Sequence, residues 1–438
     1  MIKIVVPLSI IIALRFLGLF IVMPVLSIYA LGLEGSTEIL VGVTIGIYAI
    51  SQMITQVPFG LMSDKIGRKK IIVFGTIVFV IGSIVCAYAD TIYGLMFGRV
   101  IQGAGAISAV ATAMISDLIK EEIRTKAMAI MGAIIALSFA LSMIAGPLIG
   151  GHYGVDKLFL ITSVLGVLSL LLLVKIPNPP KIKYGVKPQK NYFFKIFTNP
   201  NLYRMNITNF LQKAFMTMTF ISIPIVMNKS FGWSNSELWK LYFPAMLFGL
   251  FGMFLAVRLG GTRKKSKEML VIGVILFAIA YIILGYAKND FLFILGVTIF
   301  FLGFNIHEPL MQSLASKYAR ANEMGLSLGI FNVFGYFGTF LGGVVGGFFL
   351  KHYSLTGLGL VVFFLCLFWL VLLITLRNPS FTKNFYVPVE KIDYPKTKHL
   401  NSLEGIVEWY INKDENLLVI KYDSKLIDDK TISNILKQ

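Results

Sequence analysis

Twelve stretches of this chain are long and apolar enough to cross a lipid bilayer, and nothing else in the sequence restricts its fold so tightly. A spanning helix needs ~20 mainly apolar residues. Such runs lie at approximately 4–30, 39–63, 70–89, 91–118, 125–150, 157–176, 202–228, 237–259, 268–287, 291–316, 323–350 and 354–377. Hydrocarbon offers no water to the backbone, so each crossing segment must satisfy its own amides, which makes an all-α membrane bundle the expected fold class. Composition agrees, with 56% hydrophobic and only 14% charged residues. The first run is too long for a signal-peptide core, carries Arg15 at its middle and lacks a small-residue cleavage site, so it is expected to stay as span 1.

Lysine and arginine set the expected orientation. Counted with their flanks, the loops after even-numbered runs hold 21 of these residues and the loops after odd-numbered runs hold 5. The positive-inside rule then places both termini in the cytoplasm of a multi-pass protein of the bacterial inner (plasma) membrane. A net charge of +18 would also suit a nucleic-acid binder. Residues 380–438, however, hold nine basic and nine acidic residues, so the excess belongs to the membrane part and no nucleic-acid partner is expected. Cys86 and Cys366 both fall within apolar runs, without metal-ligand spacing or a disulfide framework.

The stretch from Lys175 to Asn201 interrupts the pattern with five prolines and six lysines. It divides the chain into an N-terminal six-helix bundle at 1–176, a cytoplasmic linker at 177–201 and a C-terminal six-helix bundle at 202–379. Within the linker, Tyr192-Phe-Phe-Lys-Ile-Phe197 suits an amphipathic element lying in the interface. Weak internal symmetry supports the division: Phe20-Ile-Val-Met-Pro24 is echoed by Phe220-Ile-Ser-Ile-Pro224, each with a basic residue half a helix earlier, Arg15 and Lys213. After residue 379 the composition turns polar. Strands are expected at 385–390, 405–411 and 417–422, a short helix at about 396–403, a turn at 412–416 and a helix at 428–437 capped by Asp428. That order is a β-α-β-β-α module without a clear last strand, a small α+β ferredoxin-like domain at 380–438. A domain this small is marginal alone, so it is expected to dock on the membrane part.

One charged turn stands out against the apolar background, Gly60-Leu-Met-Ser-Asp64-Lys-Ile-Gly67-Arg68-Lys-Lys70. It resembles motif A of the major facilitator superfamily, with Met62 at a position usually held by leucine. Three further segments resemble the twelve-helix drug:proton antiporter branch. Leu17-Gly18 with Pro24-Val25-Leu26 is similar to the signature of helix 1, though Ser27 stands where the branch has a final proline. Arg99-Val-Ile-Gln102-Gly103 with Gly105 is similar to motif B. Gly146-Pro147-Leu-Ile-Gly150-Gly151 matches the end of motif C, although its upstream glycines are here Ala133 and Ser142. The tail, with Leu403-Glu-Gly-Ile-Val and Lys421-Tyr-Asp-Ser-Lys425, narrows the resemblance to the YajR-like group. The implied fold is two six-helix halves that alternate access.

Arg15, Arg99, Lys213, His307 and Glu308 fall at membrane depth, where ionisable groups are costly and mark candidate sites. Glu308 lies ~25 Å along span 10 from its outer end and suits a proton or substrate site; its alternative is a buried pair with Lys213 or Arg15 that orients helices. A carboxyl in low dielectric takes up a proton more readily, which would let it load and release one between conformations. His307 points about 100° away and suits core packing. Arg15 and Lys213 would make a cavity electropositive unless compensated. For Arg99, with Gln102 beside it, the resemblance implies proton coupling or contact with a substrate anion from within the cavity; a tie to neighbouring backbone is the alternative. The resemblance also implies that Asp64 faces the start of span 11 and that Arg68 pairs with Asp117, latching an outward-open state. Gly60 and Gly67 permit the tight turn this requires. Gly146 and Pro147 are expected to bend span 5, and Gly150 and Gly151 to serve helix packing.

No phosphate-binding loop, zinc-protease motif or nucleophile elbow is present, so no enzyme is expected, and neither cofactor nor metal. The reading that follows is a secondary active transporter, a proton-coupled efflux antiporter for small amphipathic, drug-like compounds. Its expected partners are a small-molecule substrate, protons and the bilayer, with an unknown ligand or partner for the C-terminal domain, and a monomer is expected. Two alternatives are export of an anionic or zwitterionic metabolite and a transporter-derived sensor that signals through the C-terminal domain.

Overall fold

A computed structural model of the chain describes residues 2–119, 121–177, 199–262, 265–319, 324–352, 355–376, 382–389, 400, 403–412, 416–424 and 426–437. Among these, twelve helices are long and apolar enough to cross a membrane. Spans 1 to 6 are Val5–Leu31, Glu38–Ile66, Arg68–Ala87, Ile92–Ile115, Ile130–Tyr153 and Val155–Val174. Spans 7 to 12 are Pro200–Phe231, Asn235–Gly260, Ser266–Tyr286, Asp290–Tyr318, Leu326–His352 and Leu355–Ile374. Each expected run is found, displaced at its ends by a few residues. The linker falls largely at 178–198, outside the described residues, as does Tyr192–Phe197.

An even number of crossings returns the chain to the side it left, so both ends of the membrane domain share one face, the terminus side. On the opposite, far side, Tyr88, Tyr93, Tyr153 and Tyr286 project from the ends of spans 3, 4, 5 and 9 as exposed rings, the placement expected of an interfacial aromatic belt. Short far-side turns are fixed by caps. The Thr37 hydroxyl accepts from the Leu40 amide at 3.2 Å, and the Thr91 hydroxyl from the Gly94 amide at 3.1 Å. On the terminus side Gly67, at φ 108°, makes the turn between spans 2 and 3 that a side chain would strain.

Packing repeats with a period of six spans. Span 2 packs on 4 as 8 packs on 10, span 3 on 4 and 6 as 9 on 10 and 12, and span 1 on 5 as 7 on 11. The halves then meet through spans 2 and 11 and, equivalently, 8 and 5. One apolar core, including Val22, Ile45, Phe139, Phe220 and Phe301, runs through both halves. A second, including Val5, Ile12, Ile72, Val110 and Met114, lies at the terminus side and belongs to the first half alone.

The tail forms an antiparallel sheet of order β1-β3-β2, with β1 Thr382–Pro388, β2 Ile406–Asn412 and β3 Leu417–Asp423, followed by a helix at Asp429–Lys437. A middle strand antiparallel to both neighbours is the ferredoxin-like arrangement. The first strand begins three residues earlier than 385, because Thr382 to Asn384 pair with Asp423 to Lys421, a partnership that local composition does not signal. Asp428 caps the last helix as expected, accepting from the Thr431 amide at 2.8 Å. The short helix expected at 396–403 lies almost wholly outside the described residues.

β3 is covered on both faces. Leu418, Ile420 and Tyr422 pack with Leu400 and Ile432, while Val419, on the opposite face, is equally sealed. From that second face the Lys421 ammonium donates to the Ala319 carbonyl at the end of span 10, at 2.7 Å. A cation here meets the negative end of a helix and satisfies one of its last carbonyls.

Candidate functional site

Small residues decide which end of the bundle is shut. On the far side a Cβ on Gly42 of span 2 would strike the Gly343 backbone of span 11, one on Gly46 would strike Phe340, and one on Gly347 would strike Glu38 and Ile39. Gly151 of span 5 likewise abuts Ser236 at the start of span 8. Lys229 and Glu38 add an ion pair between halves at 3.6 Å. On the terminus side, Gly60 of span 2, Gly132 of span 5 and Gly329 of span 11 have open space where a Cβ would stand. With the first half keeping its own core there, the halves form a cleft closed at the far side and open toward the termini.

Lys213 and Glu308 meet in this cleft. The ammonium lies 3.1 and 2.9 Å from the two carboxylate oxygens, and the Gln212 amide donates to Oε2 at 3.1 Å. The Glu308 side chain is 46% exposed and that of Lys213 23%, although both sit far from the ends of spans 10 and 7. Glu308 and Gln312, one turn apart, are both exposed. A polar stripe at this depth fits an aqueous cleft and not acyl chains. The ammonium also stands 5.3 Å from the centre of the Phe304 ring. Phe304 continues into an aromatic cluster, with Phe139 at 5.9 Å and Phe301 at 6.3 Å, and Phe139 reaches Phe220 at 6.2 Å. Phe139 comes from the first half and the other three from the second, so the rings join the halves beside the ion pair.

Arg15 and Arg99 do not reach the cleft. Their residues are 2% and 1% exposed, and among the described residues neither has a carboxylate partner. The helix of span 4 breaks between Ala104 and Ser108, and Arg15 donates to the carbonyl freed there, Gly105, at 2.8 Å and to the Ser108 hydroxyl at 3.3 Å. Its guanidinium lies 4.9 Å from the Phe79 ring centre. Arg99 lies 4.7 Å from that of Tyr48 and donates to the Gln102 side chain, which in turn donates to Ser83 at 2.8 Å. The electropositive cavity expected from Arg15 and Lys213 is therefore absent: Lys213 is neutralised by Glu308, and Arg15 is spent on backbone. Arg99, expected in the cavity, is held inside the first half by packing around Tyr48 and Gln102.

In the charged turn, Arg68 donates to Asp117 at 2.9 Å and to the Ser63 hydroxyl at 2.6 Å, and it pairs with Asp64 one turn away. These groups belong to the first half. The Asp64 side chain is 49% exposed and its ion pair is with Arg68, within the first half. Gly146 abuts the Ile21 carbonyl of span 1, and Gly150 packs on Leu158 and Val25. Pro147 lies within an unbroken helix from Glu121 to Tyr153. His307 is sealed away from Glu308, its Nε2 2.8 Å from the Leu270 carbonyl and its ring edge-on to Trp369. Both cysteines are buried and free.

Sequence reasoning missed the residues whose importance is a matter of neighbours. Gln212 has no motif around it. Phe139 and Phe304 resemble any apolar residue of a span. Gln52 donates to the Tyr336 hydroxyl across the halves at 3.1 Å, and only its amide within an apolar run marked it.

A profile of the Major Facilitator Superfamily matches residues 8–343 and 263–403. The inner membrane transport protein YajR of Escherichia coli (strain K12) is 33% identical over 97% of this chain and 95% of its own. The quinolone resistance protein NorA of Staphylococcus aureus (strain COL) is 28% identical over 76% of this chain and 86% of its own. Among solved structures, a D-xylose-proton symporter superposes with a TM-score of 0.72 at 15% identity, covering 86% of this chain and 98% of that one.

Proposed function

The chain belongs to the major facilitator superfamily and is a multi-pass secondary transporter, not an enzyme, and on that premise we propose that it exports small amphipathic compounds from the cytoplasm in exchange for protons. The terminus side is then cytoplasmic, as the lysine and arginine distribution asks, and the cleft is the inward-open form of the alternating cycle.

The observation that carries this reading is the partly exposed Lys213–Glu308 pair in the cleft, next to aromatic rings shared by both halves. An apolar compound with a charged group finds a ring surface and a counter-charge together. Glu308 supplies the exchange: a substrate cation needs the carboxylate ionised, whereas a proton removes the charge that holds it. Two ligands that exclude each other at one group are coupled in opposite directions. A relative named for quinolone resistance supports amphipathic cargo. The C-terminal domain, bound to the end of span 10 through Lys421, regulates the cycle by tying down a helix that carries Glu308.

Reconstitution in liposomes tests the proposal. Under an imposed pH gradient, proton flux is recorded on adding lipophilic cations and then organic anions, for the wild type and for Glu308→Gln. Flux evoked by an amphipathic compound and abolished in the variant is expected. A correctly inserted protein in which no compound evokes proton movement, or in which Glu308→Gln keeps it, overturns proton exchange at Glu308.

A further inference from the structure

Among the described residues, the charges that the cleft exposes at membrane depth sum to zero. Glu308 is half-open to it and Lys213 partly so, while Arg15 and Arg99 are sealed inside the first half. A ligand with a single charge therefore takes one member of the pair and strands the other between apolar helices. A ligand carrying both charges strands neither: its carboxylate meets Lys213, its ammonium meets Glu308, and four charges alternate around a closed ring.

A second, independent feature points the same way. Gln212 is fully buried, its amide nitrogen is committed to Glu308, and its side-chain oxygen has no hydrogen-bond partner. An acceptor left over beside a carboxylate is a place for an N–H donor, which a ligand ammonium supplies. The pair's own spacing, 2.9 to 3.1 Å, suits a ligand whose two charges sit on neighbouring atoms of one head group. Phe304, near the Lys213 ammonium, and Phe139 from the other half offer ring faces for an apolar body.

We propose that the Lys213–Glu308–Gln212 cluster selects compact zwitterions, an ammonium and a carboxylate on one head with an aromatic or bulky apolar body, over singly charged compounds of the same shape. The proposal rests on the cleft being the substrate site, and it deepens that reading by naming the substrate class.

Three probes on one phenyl body isolate the head group: phenylalanine carries both charges, phenethylamine lacks the carboxylate and 3-phenylpropionate lacks the ammonium. Half-saturation of each is measured by thermal shift on the purified, full-length protein in detergent, without any gradient. Phenylalanine is expected to bind the wild type about tenfold or more tighter than either, the worth of one charge-assisted contact. Glu308→Gln leaves Lys213 alone and shifts preference to 3-phenylpropionate; Lys213→Met leaves Glu308 alone and shifts it to phenethylamine. Opposite shifts in two variants cannot arise from poor folding, which the unliganded melting temperature monitors. Equal binding of the three probes, binding of none by a folded wild type, or variants that do not redirect preference overturn the proposal. Proton exchange is judged separately, since absent proton flux in liposomes leaves head-group selectivity intact and readable.

Discussion

The Arg15 guanidinium lies 2.8 Å from the carbonyl of Gly105, at the point where the helix of span 4 breaks. A broken helix at this depth exposes a carbonyl that neither lipid nor water can satisfy, and Arg15 satisfies it from span 1. An arginine that the sequence offers as a cavity charge is thus a backbone clamp.

Arg15→Ala should destabilise the protein by about 2 kcal/mol, the cost of a buried carbonyl left without its donor. Thermal unfolding in detergent micelles checks this. Arg15→Lys should recover part of the loss, since a lysine still carries a donor but lacks the fork that reaches Gly105 and Ser108 together.

The Arg68–Asp117 pair is nearly buried, with side chains 11% and 6% exposed. Arg68→Ala or Asp117→Ala removes this close contact and should cost about 2 kcal/mol, the worth of a hydrogen bond to a charged group, and the double variant less than the sum of the two. Asp64→Asn, at a half-exposed position, should cost under about 1 kcal/mol. A double-mutant cycle by chemical denaturation separates these cases.

Closure at the far side depends on backbones touching without side chains between them. Gly343→Val would drive a branched side chain into Gly42 and Gly46, and the far side should open. Spin labels at Glu34→Cys and Asn228→Cys, in a background with Cys86→Ala and Cys366→Ala, should then report a longer distance. Gly329→Ala, where a Cβ meets open space, should leave that distance unchanged and stabilise the helix by roughly 0.5 to 1 kcal/mol.

Burial holds the Lys421 ammonium below the ordinary lysine range, with Glu408 across the sheet opposing the shift. An undocked domain returns Lys421 to water and restores its usual affinity for a proton, so the undocked form binds protons more tightly. Raising the pH through the interval between the two values therefore favours docking, and below the lower value the pH has no effect through this group. Hydrogen exchange in β3 of the full-length protein should show protection rising toward alkaline pH in the wild type. That rise should be absent in Lys421→Met.

The count of spans was legible because insertion is a local property. Twenty apolar residues leave water whatever the rest of the chain does, and each expected run became a helix within a few residues of its bounds. The strands of the tail were legible for a similar reason, except at Thr382 to Asn384, which became β structure only by pairing with a strand some forty residues away. Arg68 and Asp117 met as the resemblance to motif A implied.

Depth along each span could also be read from the sequence, and it placed Arg15, Arg99, Lys213 and Glu308 within the membrane. Direction could not. A helix that is apolar on every side carries no periodic mark of which face turns inward, so nothing in spans 1 and 4 says that Arg15 and Arg99 point into the first half. Lys213 and Glu308 are separated by 95 residues, and either alternative open to Glu308, a lone proton site or a member of a pair, fits its surroundings in sequence. The sequence alone determined that this chain enters a membrane, how often it crosses and which segments repeat, because hydrophobicity is summed over neighbours in the chain. Only the tertiary structure decided which charges are spent on backbone and which face the cleft, because the rotation of each helix is set by packing against the others.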